Sequence, residues 1–286
     1  MEERIRCGRR TVIIFIDFKS AFDCIDRPAL WRALAAEHIP LKIIELLRTA
    51  YNGSTSQVRI RDEVSEEFPI MTGVRQGDVV SPLLFNIIID AIMCKAFEGR
   101  RGVQASTDRF IIDLVFAGDI GVFAGDDTKV TDILFDIAWH SKPYGLKINA
   151  EKTKVLTTDG SPAIVHLDGV QIKQVQQFKY LGSLVEEKKV ASSVEIRSRI
   201  GQAVAAFASL RWCAWKKNNI SLATKVHLYQ TLILPILLYG AETWTMLKHD
   251  LSKLDVFQCV AFDAFLAFPF ATIIRMTPSS PAAAAN

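Results

Sequence analysis

The hydrophobic pattern changes period several times along the chain, and each change marks an element. Thr11-Val12-Ile13-Ile14-Phe15-Ile16 is an unbroken apolar run closed by Asp17, the pattern of a strand buried on both faces. Pro28 to Leu34 opens a helix that Pro40 ends, and Leu41 to Tyr51 reads as a second helix stopped by Asn52-Gly53. Ser56 to Arg61 then alternates with period two, and Phe68 to Met71 answers it as a partner strand. A polar turn, Gly73 to Asp78, leads into a long, mostly apolar helix that starts at Ser81-Pro82. Asp113 to Phe123 reads as a hairpin with Ala117-Gly118-Asp119 at its tip, and Asp126-Asp127-Thr128 caps a helix that runs to about Lys142 before Gly145 ends it. Short strands follow at Leu146 to Ile148 and Lys154 to Thr158, and Asp168-Gly169 turns two more into a tight hairpin.

From about Val190 the period becomes helical, with Ile196, Ile200, Val204 and Phe207 on one stripe and a further helix from Leu222 to Leu238. The fold class this predicts is α+β: an antiparallel sheet backed by helices, followed by a helical region. The last residues, Pro278 to Asn286, are low in complexity, and 267–286 reads as a tail without structure.

Composition narrows the class. With 286 residues, half of them hydrophobic, the chain can bury a full core. Its longest apolar stretches are interrupted, by Asn86 and Asp90 or by Gln230 and Pro235, so no membrane span is expected. The first residues contain no signal-peptide core, and five scattered cysteines at no metal-ligand spacing read as reduced thiols in an intracellular protein. Charge is segregated: residues 142–225 hold 14 Lys and Arg against 6 Asp and Glu, while residues 1–141 hold 17 against 21. Such a basic block suits a phosphate backbone, and a solvated helical face would look similar.

The candidate chemistry lies at two strand ends. Asp17 and Asp119 close or open apolar runs about a hundred residues apart, and carboxylates on adjacent strands can share a divalent metal. Taken singly, Asp17 equally fits a cap on the following turn. The order of motifs decides between the two. Phe15-Ile16-Asp17-Phe18-Lys19-Ser20-Ala21-Phe22-Asp23 resembles the first palm motif of reverse transcriptases from retrotransposons that lack long terminal repeats, and Gly73-Val74-Arg75-Gln76-Gly77-Asp78-Val79-Val80-Ser81-Pro82 resembles the second. Asp113 to Ile120 stands where the aromatic-Ala-Asp-Asp motif is expected, Gly145 to Asn149 with Lys152-Thr153-Lys154 is similar to the fourth motif, and Phe178 to Ser183 to the primer-gripping fifth. The likeness covers about residues 11 to 250.

That resemblance implies RNA-directed DNA polymerisation with two Mg²⁺ ions, for which Mn²⁺ can substitute, acting on an RNA template, a DNA primer and deoxynucleoside triphosphates. It implies a palm with remnant fingers over 1–188 and a thumb-like helical region over 189–266. Carried over position by position, Asp17 and Asp119 are catalytic carboxylates and metal ligands, with the Phe18 carbonyl as a further ligand and Lys152 neutralising the leaving pyrophosphate. Phe22, Gln76 and Gly77 fall at the nucleotide; Arg75, Lys147, Lys154, Phe178, Lys179 and Tyr180 fall along template and primer. For Phe22 core packing, for Arg75, Gln76 and Gly77 a structural turn before a helix, and for Lys147, Lys152 and Lys154 a solvated strand edge, remain alternative readings.

Two departures qualify the expectation. Gly118 occupies the position of the acid that bridges both metals, so catalysis is expected to be impaired, and Asp113 is too far along its strand to replace it. The chain also starts only sixteen residues before Asp17 and, after about Phe257, departs into the hydrophobic run 262–270, which reads as a fragment of a larger polyprotein. The alternative function is a non-catalytic nucleic-acid-binding relic.

Overall fold

The computed structural model describes residues 2–106, 108–187 and 192–266. The chain forms two units, residues 1–189 and 190–286. In the first, the apolar run becomes β1 (Val12–Ile16), fully buried because it is the middle strand of a five-stranded sheet. Its antiparallel neighbours are β3 (Asp119–Ala124) on one side and β4 (Lys154–Thr157) on the other. Outside them lie β2 (Asp113–Phe116), paired to β3, and the short β5 (Lys173–Gln174), parallel to β4. The strand order is β5-β4-β1-β3-β2.

Because side chains alternate along a strand, this sheet has two faces of different construction. Val12, Ile14, Ile16 and Phe18 join Ile120, Val122, Ala124 and Val155 in the main core. After the single turn α1 (Ala21–Cys24), helices cover that face: α2 (Arg27–Ala36), α3 (Leu41–Tyr51), α4 (Ser81–Ala96) and α5 (Asp127–Ser141) all contribute buried residues to the same core. Two start as their sequences suggest. The Asp26 carboxylate accepts the Ala29 N–H at 2.7 Å and Asp126 that of Lys129 at 2.9 Å. The opposite face carries Ile13, Phe15 and Leu156 and is covered by one hairpin, β6 (Gln177–Tyr180) and β7 (Ser183–Glu186), through Phe178 and Tyr180.

The mixed helix-and-sheet class expected from the pattern is the class observed. Details differ. The alternating segment 56–61 is not one strand: Thr55–Ser56 pairs with Phe68–Pro69, and Arg59–Ile60 folds back on Glu63–Val64 around Arg61 at φ 56°. Every one of these residues is exposed, so no buried face enforces the longer register. Leu146 to Ile148 makes a single bridge, Phe18 to Ile148, instead of a strand.

In the second unit, α6 (Ser193–Ser209) turns Ile196 and Ala203 inward, while Val204, expected on the buried stripe, is 49% exposed. At 100° per residue Ala203 lies within about 20° of Ile196 around the helix and Val204 about 80° away. The segment expected as one helix from Leu222 is α7 (Leu222–Leu228), a wider π turn at Tyr229–Ile233, and a last turn at Leu234–Leu237 around Pro235. α8 (Lys248–Leu266) continues past Phe257 into the run read as unrelated, and buries Phe257 and Ala261. The tail over 267–286 lies outside the described residues. Among the described residues no helix is long and apolar enough to cross a membrane, and none of the five cysteines is in a disulfide.

Candidate metal and nucleotide site

The β1–β3 register positions the two carboxylates. Val12 faces Ala124 and Ile16 faces Ile120; one further step sets Asp17 opposite Asp119, on the face of Ile13 and Phe15. Beyond β1 the chain is stitched to the loop before β4. The Asn149 N–H donates to the Asp17 carbonyl at 2.7 Å, the Lys19 N–H to the Lys147 carbonyl at 2.9 Å, and the Asp17 N–H to Thr153 Oγ1 at 3.3 Å. In such a ladder the residue between the bonded ones turns its own N–H and C=O the other way. The Phe18 carbonyl is therefore directed towards the β2–β3 hairpin, at the level of Gly118.

Asp17 carries an unmet demand. Its Oδ2 is shielded from solvent and has no hydrogen-bond partner, and the nearest cation, Lys152 Nζ, stands at 3.9 Å with most of its side chain exposed. A carboxylate oxygen left this way fits a metal ion in its coordination sphere. Among the described residues no three His, Cys, Asp or Glu side chains come together as a metal-binding group. Asp17, Asp119 and the Phe18 carbonyl are the donors here that a divalent cation could take.

The backbone of the hairpin tip does not itself require glycine at 118. Phe116 pairs with Asp119, leaving Ala117 and Gly118 as the turn. Ala117 takes the left-handed conformation at φ 51°, whereas Gly118 does not have a positive φ. A Cβ added at Gly118 would meet nothing within 4 Å. The turn asks for glycine at 117, where it has alanine, and makes no such request at 118.

Tyr180 fastens the β6–β7 hairpin over this end of the sheet. Its hydroxyl donates to the Leu114 carbonyl at 2.7 Å and the Asp119 carbonyl at 3.2 Å. Burial, with the charges of Asp119 and Asp113 adding to it, pushes its pKa up to about 12. Phe178 stacks on Phe15 with centroids 4.1 Å apart. Asp113 faces the other way: it pairs with Val122, on the helix-backed side, and burial, reinforced by Asp90, raises its carboxyl above the usual range.

The Gly73–Asp78 turn is held close to the residues after Asp17. Gly73 (φ 80°) has the backbone of Phe22 and Asp23 where a Cβ would be, 2.7 Å away, so only glycine allows this approach. The Val74 N–H donates to the Phe22 carbonyl at 2.7 Å, and Gln76 Nε2 to Asp23 Oδ1 at 3.1 Å. Gly77 turns at φ 89° in open space. The half-buried Phe22 stacks on Phe85 of α4 at 4.5 Å and packs against the main core. Arg75 is committed elsewhere, donating to the Ala50 carbonyl and Ser54 Oγ at the end of α3. Lys154 is likewise engaged, donating to the carbonyls of Glu151 and Thr153. Lys147 and Lys179 are exposed.

One organising residue was missed from sequence. The buried Arg27 donates to the carbonyls of Tyr51, Ile70, Thr72 and Gly73, tying the turn to α2 and α3. An arginine at the start of a helix, just before Pro28, carries no signal of that role.

The reverse transcriptase (RNA-dependent DNA polymerase) family model matches residues 3–185. Among curated proteins, the chain is 25% identical to a retrovirus-related Pol polyprotein from type-1 retrotransposable element R2 of Popillia japonica, over 82% of this chain and 39% of that protein. It is 24% identical to a probable RNA-directed DNA polymerase from transposon BS of Drosophila melanogaster, over 90% and 29%. For the RNA-directed DNA polymerase of the mobile element jockey from the same fly, the identity is 26%, over 85% and 27%. The chain thus spans about a third of the length of these relatives. Among solved structures, apo telomerase from Candida tropicalis shares the fold at a TM-score of 0.52 and 17% identity, over 98% of this chain and 46% of that one. Motif order, register and family model agree: the chain belongs to the reverse transcriptase family of retrotransposons that lack long terminal repeats.

Proposed function

We propose that this reverse transcriptase-like domain keeps the nucleotidyl-transfer site of an RNA-directed DNA polymerase in a depleted form, with residues 1–188 as palm and 189–266 as a thumb-like region. The observation that carries the reading is the register of Asp17 with Asp119 together with the orphaned Asp17 Oδ2. Asp17, Asp119 and the Phe18 carbonyl would hold one Mg²⁺ or Mn²⁺. When bound, such an ion supplies Lewis-acid activation of a primer hydroxyl and charge neutralisation at a triphosphate. Lys152, anchored near Asp17 but exposed, is placed to neutralise or protonate a leaving pyrophosphate. Phe22 and Gln76 would bound the nucleotide, while Phe178, Lys179 and Tyr180 would support the primer, and Lys147 the nucleic-acid backbone. Arg75 and Lys154, bonded within the fold, would have to release their partners to reach a template.

Gly118 sets the expected rate. Losing a carboxylate between two dications costs about 4 kcal/mol of transition-state stabilisation, or about a thousandfold. Primer extension on an RNA template with Mg²⁺ or Mn²⁺ tests this across the unaltered chain, Gly118→Asp and Asp17→Ala. Gly118→Asp should extend about a thousandfold faster than the unaltered chain, and Asp17→Ala should abolish extension. Equal rates for the unaltered chain and Gly118→Asp would overturn the claim of impairment. Extension by neither, with primer-template binding intact, would favour the second reading, a non-catalytic nucleic-acid-binding protein, which the basic block over 142–225 supports.

A further inference from the structure

Residues 196–241 contain no Asp or Glu, yet carry Arg197, Arg199, Arg211, Lys216, Lys217 and Lys225. Two of these cations have structural duties. Arg199 is buried with its guanidinium 4.5 Å from the Tyr239 ring centroid, and the buried Lys225 donates to the Trp215 carbonyl at 2.8 Å. Arg197, Arg211, Lys216 and Lys217 are exposed.

Between them runs a π-helical turn, Arg211–Trp215, whose two tryptophans point to opposite fates. Trp215 is 2% exposed: its indole N–H donates to the Phe207 carbonyl at 2.7 Å and its ring stacks on Phe207 at 4.8 Å. Trp212 is 70% exposed. The Lys216 ammonium lies 4.5 Å, and the Arg211 guanidinium 5.4 Å, from its ring centroid. Trp215 and Lys225 fix the turn from within, so Trp212 is displayed from a rigid base with cations at its ring.

From this arrangement we infer that the Trp212 platform, with Arg211, Lys216 and Lys217, is a contact site for single-stranded nucleic acid, separate from the Asp17–Asp119 site. Stacking a base on an indole is sequence-tolerant, because every base has a π face, and the flanking cations meet the phosphates on either side. On binding, a base takes the place of a cation over the ring, and that cation moves to a phosphate. The lack of any acid over 46 residues excludes a basic partner. An acidic peptide would satisfy the cations and leave the indole face without a matching group.

The test uses the full chain in EDTA without deoxynucleotides, so it does not depend on polymerase activity. A fluorescein-labelled oligothymidylate and a duplex of equal length are titrated by anisotropy at salt between about 50 and 200 mM. Trp212→Ala should weaken single-strand binding about tenfold and Trp212→Phe less than about threefold. Arg211→Gln should lower the slope of log affinity against log salt by about 0.7. Tryptophan quenching on binding should diminish in Trp212→Phe while affinity is kept. Equal affinity of Trp212→Ala and the unaltered chain for the oligothymidylate would overturn the inference, as would an equal loss of duplex affinity in Trp212→Ala. Failure of primer extension would leave this result untouched.

Discussion

The two faces of the five-stranded sheet were built to different standards. One is backed by four helices and packs Ile14, Ile16, Phe85 and Ile88 to near-zero exposure. The other is covered by a single hairpin that reaches it through Phe178, Tyr180 and Val185, all only partly buried. Asp17 and Asp119 stand on the thin face, at the end where Tyr180 fastens the hairpin. Asp113, on the thick face, has its ionisation opposed by burial. On the thin face the Asp17 backbone is held by Asn149 and Thr153 while its Oδ2 is shielded without a hydrogen-bond partner. The thick face supplies the rigidity.

Truncation should expose the contrast most sharply. Ile14→Ala, on the thick face, should lower unfolding free energy by about 3 kcal/mol, since the cavity is walled by packed helices. Phe178→Ala removes a larger side chain but should cost only about 1–2 kcal/mol, because its site is half-open and water can fill it. Urea melts of the two variants decide the matter, and a larger loss for Phe178→Ala would show that the hairpin is integral to the core. Next in size is a metal effect. Gly118→Asp should melt within about 0.5 kcal/mol of the unaltered chain in EDTA, then gain about 2.7 kcal/mol when Mn²⁺ reaches a hundred times its dissociation constant, with a smaller gain for the unaltered chain. Calorimetry with and without Mn²⁺ checks it; identical shifts would show that residue 118 does not face the ion.

Much of this was legible beforehand because the signals are local or ordered. Asp126 and Pro28 mark helix starts by their own hydrogen-bonding chemistry, and five motifs in sequence define the family without any knowledge of packing. What escaped notice depends on contacts between distant segments. Nothing near Arg27 announces that it will bind four carbonyls contributed by residues 51 to 73. Period two at Ser56 to Arg61 suggested a strand, yet with neither face buried the pattern had nothing to enforce it. Arg75 and Lys154 matched motif positions, and sequence could not say that their charges would be spent on nearby carbonyls. Gly118 was legible as a lost acid; only the backbone shows that the loss is not a demand of the turn.

The clamp that joins the thin cover to the site gives a smaller effect. Tyr180→Phe keeps the ring against Phe15, 5.6 Å away, and removes the hydroxyl shared by the Leu114 and Asp119 carbonyls. A loss of about 1 kcal/mol is expected at neutral pH. The tyrosine also sets an alkaline limb. With its pKa pushed up from 10 to about 12 in the fold, the unfolded chain sheds a proton that the native state retains, so stability falls as pH rises from 10 towards 12. In Tyr180→Phe that decline should flatten, and a melt series across the interval reads it.

The smallest effect belongs to the acid on the thick face, and its sign runs against the usual carboxylate. Burial raises the Asp113 pKa, with Asp90 adding to it, so between the unfolded and folded values the native state binds the extra proton. Stability from this group is then greatest at low pH, declines as pH climbs through that interval, and settles at a constant penalty above it. Asp113→Asn removes the ionising group and keeps its size. It should leave stability unchanged below the unfolded pKa and raise it at neutral pH. Melts of Asp113→Asn and the unaltered chain at acidic and neutral pH check it, and equal stabilities of the two at neutral pH would show that burial does not oppose this carboxylate's charge.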